Sequence, residues 1–508
     1  MSSDSNLECH SCFSTRSRVN LLSIMLGMTV CFSTLWRFPY QVANFGGAAF
    51  ILIYLLLAVL LVFPALTAEW SLGRLTGSGP EAAYGKKKVP GAKLITAGLF
   101  CVVLTIGSYF AVWIGWIVRY AISSLTDPAL LNPSTDSNAY FDTVIAPDAV
   151  LQLLFAGIVI LFVAPTILGG TRRIEVFSSR IVPIFFGLVL IMTVSVLLQP
   201  GVLASTLNFF LSIDIGAQVT PFTFVAALGQ AFFSLCLGGT YMVLYASYME
   251  RKSVHDIPVN AALTVAGNTI ASLISAFLVF GIIFMSGLNV LNASGPGLFF
   301  GVIPEGFQSL GEVMGPTMAG LGMAIFFTMF FFSAYMPLTA ILHVTVTMIE
   351  RNFHLERKFA YATIAGLTFL LAIPSVLSPL QGGFLYNVDI FVGAIGSVLG
   401  SMAAIIAFTW FTDKRTAMSE VNAGSRVKLG NIYHFVTKYV APLFMLFVVF
   451  YALADVVGQV AGLNSSTDYI LYTTIVEIIP FTAIIFVVVA LLLAIGNTIL
   501  SKRIAKSL

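Results

Sequence analysis

Leu21–Phe50 reads LLSIMLGMTVCFSTLWRFPYQVANFGGAAF. It opens as an apolar run of the kind that crosses a bilayer and then departs from it. Thr29, Cys31, Ser33 and Thr34 interrupt the run halfway, and Trp36-Arg37-Phe38-Pro39-Tyr40 sets a cation and a helix-breaking proline at membrane depth. Proline removes a backbone donor. Unpaired backbone in hydrocarbon costs several kcal/mol, so this stretch is expected to line a protected cavity rather than to face lipid. An arginine at that depth is expensive and marks function. The simpler alternative is a kinked span whose arginine snorkels to the interface.

The rest of the composition agrees with a membrane setting. Of 508 residues, 58% are hydrophobic and 9% charged, against roughly a quarter charged in soluble domains. The net charge of +3 is too small to imply a nucleic-acid partner, and the bilayer is the expected environment. Cys9, Cys12, Cys31, Cys101 and Cys236 read as reduced, unpaired thiols. Cys9-His10-Ser11-Cys12 lacks the second pair that a tetrahedral metal site needs, so no metal centre is expected. The first apolar segment is too long and too internal for a cleaved signal peptide.

A spanning helix needs about 20 apolar residues, and the chain offers twelve such segments. They fall at about 20–43, 47–72, 92–124, 149–169, 175–198, 221–248, 256–288, 318–349, 357–376, 384–411, 433–458 and 471–499. Lys86–Lys88, Arg172, Arg173, Arg251, Lys252, Arg351, Arg357, Lys358, Lys414, Arg415, Lys502 and Arg503 all fall on one side of this pattern. The opposite loops carry Asp127, Asp136, Asp142 and Asp148. Positively charged loops stay cytoplasmic, so the expected product is a multi-pass protein of the plasma (inner) membrane with both termini in the cytoplasm.

Segment six repeats the irregularity of segment one. Its centre, Ser234-Leu235-Cys236-Leu237-Gly238-Gly239-Thr240, is small and polar, and glycine disfavours helix by about 1 kcal/mol relative to alanine. Segments one and six hold matching places in two five-helix halves, and the second half starts on the opposite side of the membrane. Interrupted segments at corresponding positions of inverted repeats point to a transporter with a midplane site. Close helix packing is the alternative use of such small residues.

Four motifs carry a resemblance. Trp36–Tyr40, Gly46-Gly47-Ala48-Ala49-Phe50, Glu69-Trp70-Ser71-Leu72-Gly73-Arg74 and Gly229-Gln230-Ala231-Phe232-Phe233-Ser234-Leu235 resemble the neurotransmitter:sodium symporter family, whose bacterial prototype is a leucine transporter. The resemblance implies an all-α membrane protein of twelve helices. These would be divided as a tail (1–19), two inverted repeats (20–198 and 199–411, with helices one and six broken), and a final part (412–508) holding helices eleven and twelve with a cytoplasmic tail. It implies alternating access around a central site for an amino acid, hydrophobic or aromatic by preference, or a related amine. No enzymatic activity is expected.

The same resemblance assigns residues. Arg37 and Asp389 match an extracellular gate, with Gln230 beside it and Phe233 as the lid. The substrate pocket would be lined by Thr29, Phe32, Ser33, Ile106, Phe110, Phe233, Ser234, Cys236, Gly239 and Ile341. Gly239 would leave room for a bulky substrate side chain. Glu69 matches a carboxylate that holds unwound backbone; as an intramembrane acid it is also a candidate proton carrier, as is His343 in segment eight.

Departures bear on coupling. Sodium wants hard oxygen ligands. At one ion site Met336 and Pro337 stand where the family has two hydroxyls, leaving backbone carbonyls of Gly27 and Val30. At the other, Thr34 and Phe284 replace two asparagines. Phe110 replaces the tyrosine that contacts a substrate carboxylate, and Arg351 replaces an acid of the cytoplasmic gate. These changes lead us to expect no cofactor and doubtful sodium coupling, with facilitated or proton-coupled transport instead. The alternatives are a ligand sensor without net transport, or a sodium symporter with rearranged ion sites.

Overall fold

The computed structural model describes residues 18–29, 33–212, 219–249, 256–287, 297–379 and 383–460. Among them, nine helices are long and apolar enough to cross a membrane. These are α3 (Ala48–Thr76), α5 (Ala92–Thr126), α6 (Ala149–Leu168), the Ser179–Leu197 part of α7 (Thr171–Leu197), α11 (Ile257–Met285), α13 (Pro316–Phe353), α14 (Arg357–Leu377), α15 (Phe384–Thr409) and α17 (Asn431–Ala452). The chain is a multi-pass membrane protein. Segment six is split in two, as α9 (Pro221–Ser234) with α10 (Tyr241–Ser247), and segment one is described as α1 (Arg18–Thr29) and α2 (Phe38–Asn44), with 30–32 outside the described residues. The expected twelfth segment lies outside the described residues.

Local chemistry places the breaks. Ser33–Arg37 is a π turn that feeds α2, with Pro39 in its first turn where no intrahelical donor is missed. α9 ends at Ser234, and Cys236, Gly238 and Gly239 then take φ of 51°, 152° and 68°. A run of positive φ cannot continue a right-handed helix. Freed backbone groups in such a break must be satisfied by neighbouring protein. Glu69 Oε1 accepts the Gly238 N–H at 3.1 Å, Tyr84 donates its hydroxyl to the Gly239 carbonyl at 3.0 Å, and the Cys236 thiol reaches the Met28 carbonyl at 3.2 Å. Two further π turns, Ala58–Val62 and Asp389–Ile395, lie inside α3 and α15.

The long helices make the frame. α5 and α13, at 35 and 38 residues, run about 50–57 Å by their rise and pack along each other. α3 lies against α10 and α15, and α9 against α3. Small residues permit close approach: a Cβ on Gly400 of α15 would overlap the Gly238 carbonyl. α12 (Gly297–Met314) is a helix that the segment pattern left unassigned, because Glu305, Gln308 and Glu312 break up its apolar run.

At the end that carries Lys86–Lys88, a short helix α4 (Pro80–Lys86) follows α3, and α16 (Lys414–Val421) follows α15. The buried Arg74 bonds Glu420 Oε1 through Nε at 2.7 Å and the Glu420 carbonyl through Nη2, pinning α16 to α3. Removing one partner of a buried pair strands the other charge and costs about 3–5 kcal/mol. Arg74→Met is therefore expected to lower the apparent melting temperature in detergent, and Arg74→Met/Glu420→Leu to recover much of the loss. A single variant that melts with the wild type would show that the pair does not hold α16.

Candidate functional site

Arg37 is 2% exposed, and its charge is met from two helices, α9 and α15. Its Nε donates to Asp389 Oδ2 at 2.9 Å, and its Nη1 donates to Gln230 Oε1 at 2.8 Å. The Gln230 amide donates onward to the Ser33 carbonyl at 3.2 Å, and Tyr109 donates to Asp389 Oδ1 at 3.2 Å. The Arg37 guanidinium lies 5.1 Å from the centre of the Phe233 ring. The sequence placed Arg37, Asp389, Gln230 and Phe233 together, and the fold brings them together. Tyr109 was missed; an intramembrane tyrosine one residue from Phe110 was the available signal.

This cluster separates two hollows. One is a vestibule lined by Trp36, Arg37, Tyr40, Trp113, Phe222 and Tyr386. It sits at the Phe45 end of the molecule, opposite Lys86. Tyr40 and Tyr386 bond across it, hydroxyl to hydroxyl at 3.0 Å. The other is an inner cavity on the far side of the Phe233 ring, whose space open to water is ≈ 30 Å³. A water needs roughly 10–15 Å³ on that measure, so the inner cavity has room for only a few waters.

Ser33, Ile106, Phe110, Phe233, Cys236 and Ile341 line the inner cavity as expected, and Leu237, Tyr241, Pro337, Ala340 and Ser397 join them. Thr29, Ser234 and Gly239 do not. Thr29 bonds the Leu26 carbonyl of its own helix at 3.4 Å. Ser234 faces α11. Gly239 leaves no room for substrate: its φ is 68°, and a Cβ there would overlap the Gly400 carbonyl and the Tyr84 hydroxyl. Phe32 lies outside the described residues. Among the described residues, no carboxylate or cation lines the inner cavity.

The expected ion positions separate into one that fits hard-cation chemistry and one that does not. Phe284 is far from the breaks, its ring 6.0 Å from that of Phe209. The asparagine on α11 is instead Asn268, fully buried, which donates to Ser234 Oγ at 3.0 Å and to the Tyr54 hydroxyl at 3.3 Å. Its Oδ1 is buried without a partner. The missed signal was a polar stripe at helical spacing, Asn260, Thr264, Asn268 and Ser272, all buried. α11 also packs on the first break, where Ser275 Oγ bonds the Leu35 carbonyl at 2.9 Å, and Thr34 is buried there. An orphaned amide oxygen beside a hydroxyl suits sodium. At the second position Met336 and Pro337 are buried on α13, and the nearby Thr339 hydroxyl is bonded to the Tyr335 carbonyl at 2.8 Å. A thioether and a proline ring do not suit sodium. Gly27 is buried on α1, and Val30 lies outside the described residues.

Three further candidates have clear surroundings. Glu69 is fully buried and bonds the broken backbone at Gly238, as above. His343 is buried between Tyr245 and Tyr248, its ring 5.7 and 6.4 Å from theirs. Arg351 bonds Glu81 of α4 at 2.7 Å, so an ion pair forms at that end although the expected acid is replaced.

The comparisons with known proteins agree with this geometry. The model of the sodium:neurotransmitter symporter family matches residues 14–143 and 141–500. The chain is 27% identical over 447 residues to YhdH, an uncharacterized sodium-dependent transporter of Bacillus subtilis, covering 85% of this chain and 96% of that one. It is 22% identical over 492 residues to the sodium-dependent dopamine transporter of Bos taurus, covering 86% and 68%. Among solved structures it is similar to MhsT in complex with L-phenylalanine, with a TM-score of 0.77 and 26% identity over 87% of this chain and 99% of that chain.

Asp389→Asn is expected to keep the gate's shape and weaken its closure. A loss of about 1.4 kcal/mol is tenfold in an equilibrium, and a buried charge pair is worth at least about 2 kcal/mol to truncation. Labelling of an Ile341→Cys thiol by a maleimide, above the background of the native cysteines, should then rise at least roughly tenfold. Unchanged labelling would mean that the ion pair does not control access.

Proposed function

We propose that the chain, which belongs to the sodium:neurotransmitter symporter family, is a secondary transporter that moves a small apolar or aromatic amino acid by alternating access. The observation that carries this reading is the stacking of three layers: the vestibule, the Arg37–Asp389–Gln230 gate with the Phe233 lid, and an uncharged inner cavity. The L-phenylalanine bound by MhsT supports the substrate class. Release of Arg37 from Asp389 returns both charges to the vestibule's water and frees Phe233 to swing. The break between Ser234 and Tyr241 then gives the inner cavity backbone donors and acceptors that a zwitterion can use.

Coupling follows from the fit at the two ion positions. Asn268, Ser234 and Thr34 are the side chains that would hold one sodium ion, and Met336 with Pro337 removes the second. An ion bound at the first position would supply positive charge beside the interrupted segments, where a substrate carboxylate gains from it. Asn268 meanwhile fixes Ser234 at the start of the break, and Glu69 holds its middle at Gly238.

A thermal-shift series with L-phenylalanine and other apolar amino acids tests this. A ligand that binds only the folded state raises the melting temperature by mass action. The shift is expected to be larger in sodium than in choline, and Asn268→Leu should erase that difference. Equal shifts in both salts would overturn sodium coupling. Binding without counterflow of labelled substrate in proteoliposomes would overturn transport and favour a sensor.

A further inference from the structure

The inner cavity lacks the hydroxyl that the resemblance places on α5, where Phe110 stands. It contains another in a different place. Tyr241, the first residue of α10, lines the same cavity and is 5% exposed. No hydrogen bond joins its hydroxyl to a described residue, and the oxygen is not among the fully buried ones, which leaves it open to the cavity that the residue lines. Its electrostatic neighbours are Cys236 and Glu69 at the segment-six break, and Tyr109, which bonds Asp389. The other hydroxyls are differently placed. Ser397 is committed to the Gly393 carbonyl at 2.5 Å, and Ser33 sits on the opposite broken segment.

The backbone explains why a tyrosine fits here. Gly238 and Gly239 lie flat against Gly400, their positive φ values carrying the chain across α15 without side chains. Bulk excluded at position 239 is supplied two residues later, where Tyr241 turns onto the cavity wall.

We infer that Tyr241 is a substrate-anchoring and specificity-determining residue, its hydroxyl donating a hydrogen bond to the carboxylate of the transported amino acid in place of the hydroxyl absent at Phe110. This rests on the transport reading above and deepens it. The anchor moves from α5 to α10, so the carboxylate is held by the element that reorients at the segment-six break. A hydroxyl left without its acceptor in a closed cavity also discriminates against ligands that lack one.

The test compares binding of L-phenylalanine and of phenethylamine, which lacks the carboxylate, to purified full-length protein. A hydrogen bond to a charged group corresponds to roughly ten- to hundredfold in affinity. Tyr241→Phe is expected to weaken L-phenylalanine by that factor and leave phenethylamine, if it binds the wild type, unchanged. Phe110→Tyr added to Tyr241→Phe restores the hydroxyl on the opposite wall and should recover much of the loss. Tyr241→Phe that binds L-phenylalanine as the wild type does, or a loss that the second substitution leaves uncorrected, overturns the assignment alone. A wild-type protein that binds no amino acid overturns the transport reading and this inference with it.

Discussion

Backbone polar groups cannot be left open in hydrocarbon, and the two interrupted helices are built around that constraint. Where α9 ends, the chain exposes N–H and carbonyl groups that a continuous helix would have paired. Glu69, Tyr84 and Gln230 each reach from a neighbouring helix to one such group, at Gly238, Gly239 and Ser33. Glu69 belongs to an intact span, α3, and can be positioned before the broken ones settle, whereas Tyr84 reaches in from the short helix α4 and Gln230 from α9, one broken segment bonding the other. The rigid frame of α3, α5 and α13 thus specifies an irregular centre that propensity alone would not produce. Without the buried carboxylate, the Gly238 N–H loses its partner, and the break has less reason to remain where it is.

The gate applies the same rule to charge. A buried ion pair is a poor source of stability, because desolvation offsets most of the Coulomb gain. Its effect here is to join separate elements of the fold. Arg37 on segment one meets Gln230 on α9 and Asp389 on α15, and Tyr109 on α5 completes the carboxylate's bonding. Arg37 also covers Phe233, so the lid and the charge pair are disposed together. The Arg74–Glu420 pair at the other end differs in that it includes a backbone carbonyl and ties α16 to the frame.

Much of this was legible in the sequence because the expensive features are also the conspicuous ones. An arginine and a proline at membrane depth, a glycine pair in an apolar run and a glutamate inside a span each violate a simple rule, and each is found at a break or beside one. What failed was register and orientation. The alignment of an apolar helix puts Phe284 at the second asparagine's place, whereas the buried polar stripe through Asn260, Thr264 and Asn268 marks the inward face. Gly239 was read as space, although a glycine at positive φ marks close backbone approach. Neither Tyr109 nor Tyr241 violates a rule in one dimension, since tyrosine is ordinary in such segments. Their significance arises only from what the fold sets across from them.

The two ion positions show how unevenly such a site can change. Both lie beside segment one, yet one keeps an unpaired amide oxygen on α11 and the other is filled by Met336 and Pro337 on α13. A proline in midhelix frees a carbonyl on the preceding turn and stiffens the chain around it. A methionine beside it supplies flexible apolar volume where charge would otherwise have to be balanced. These substitutions replace an electrostatic link between α13 and segment one with packing, which needs no ion to form. α1 and α13 are in contact. The unpartnered oxygen that suits a hard cation is that of Asn268, on the side of the break that also carries Ser234 and leads into the cavity wall at Tyr241.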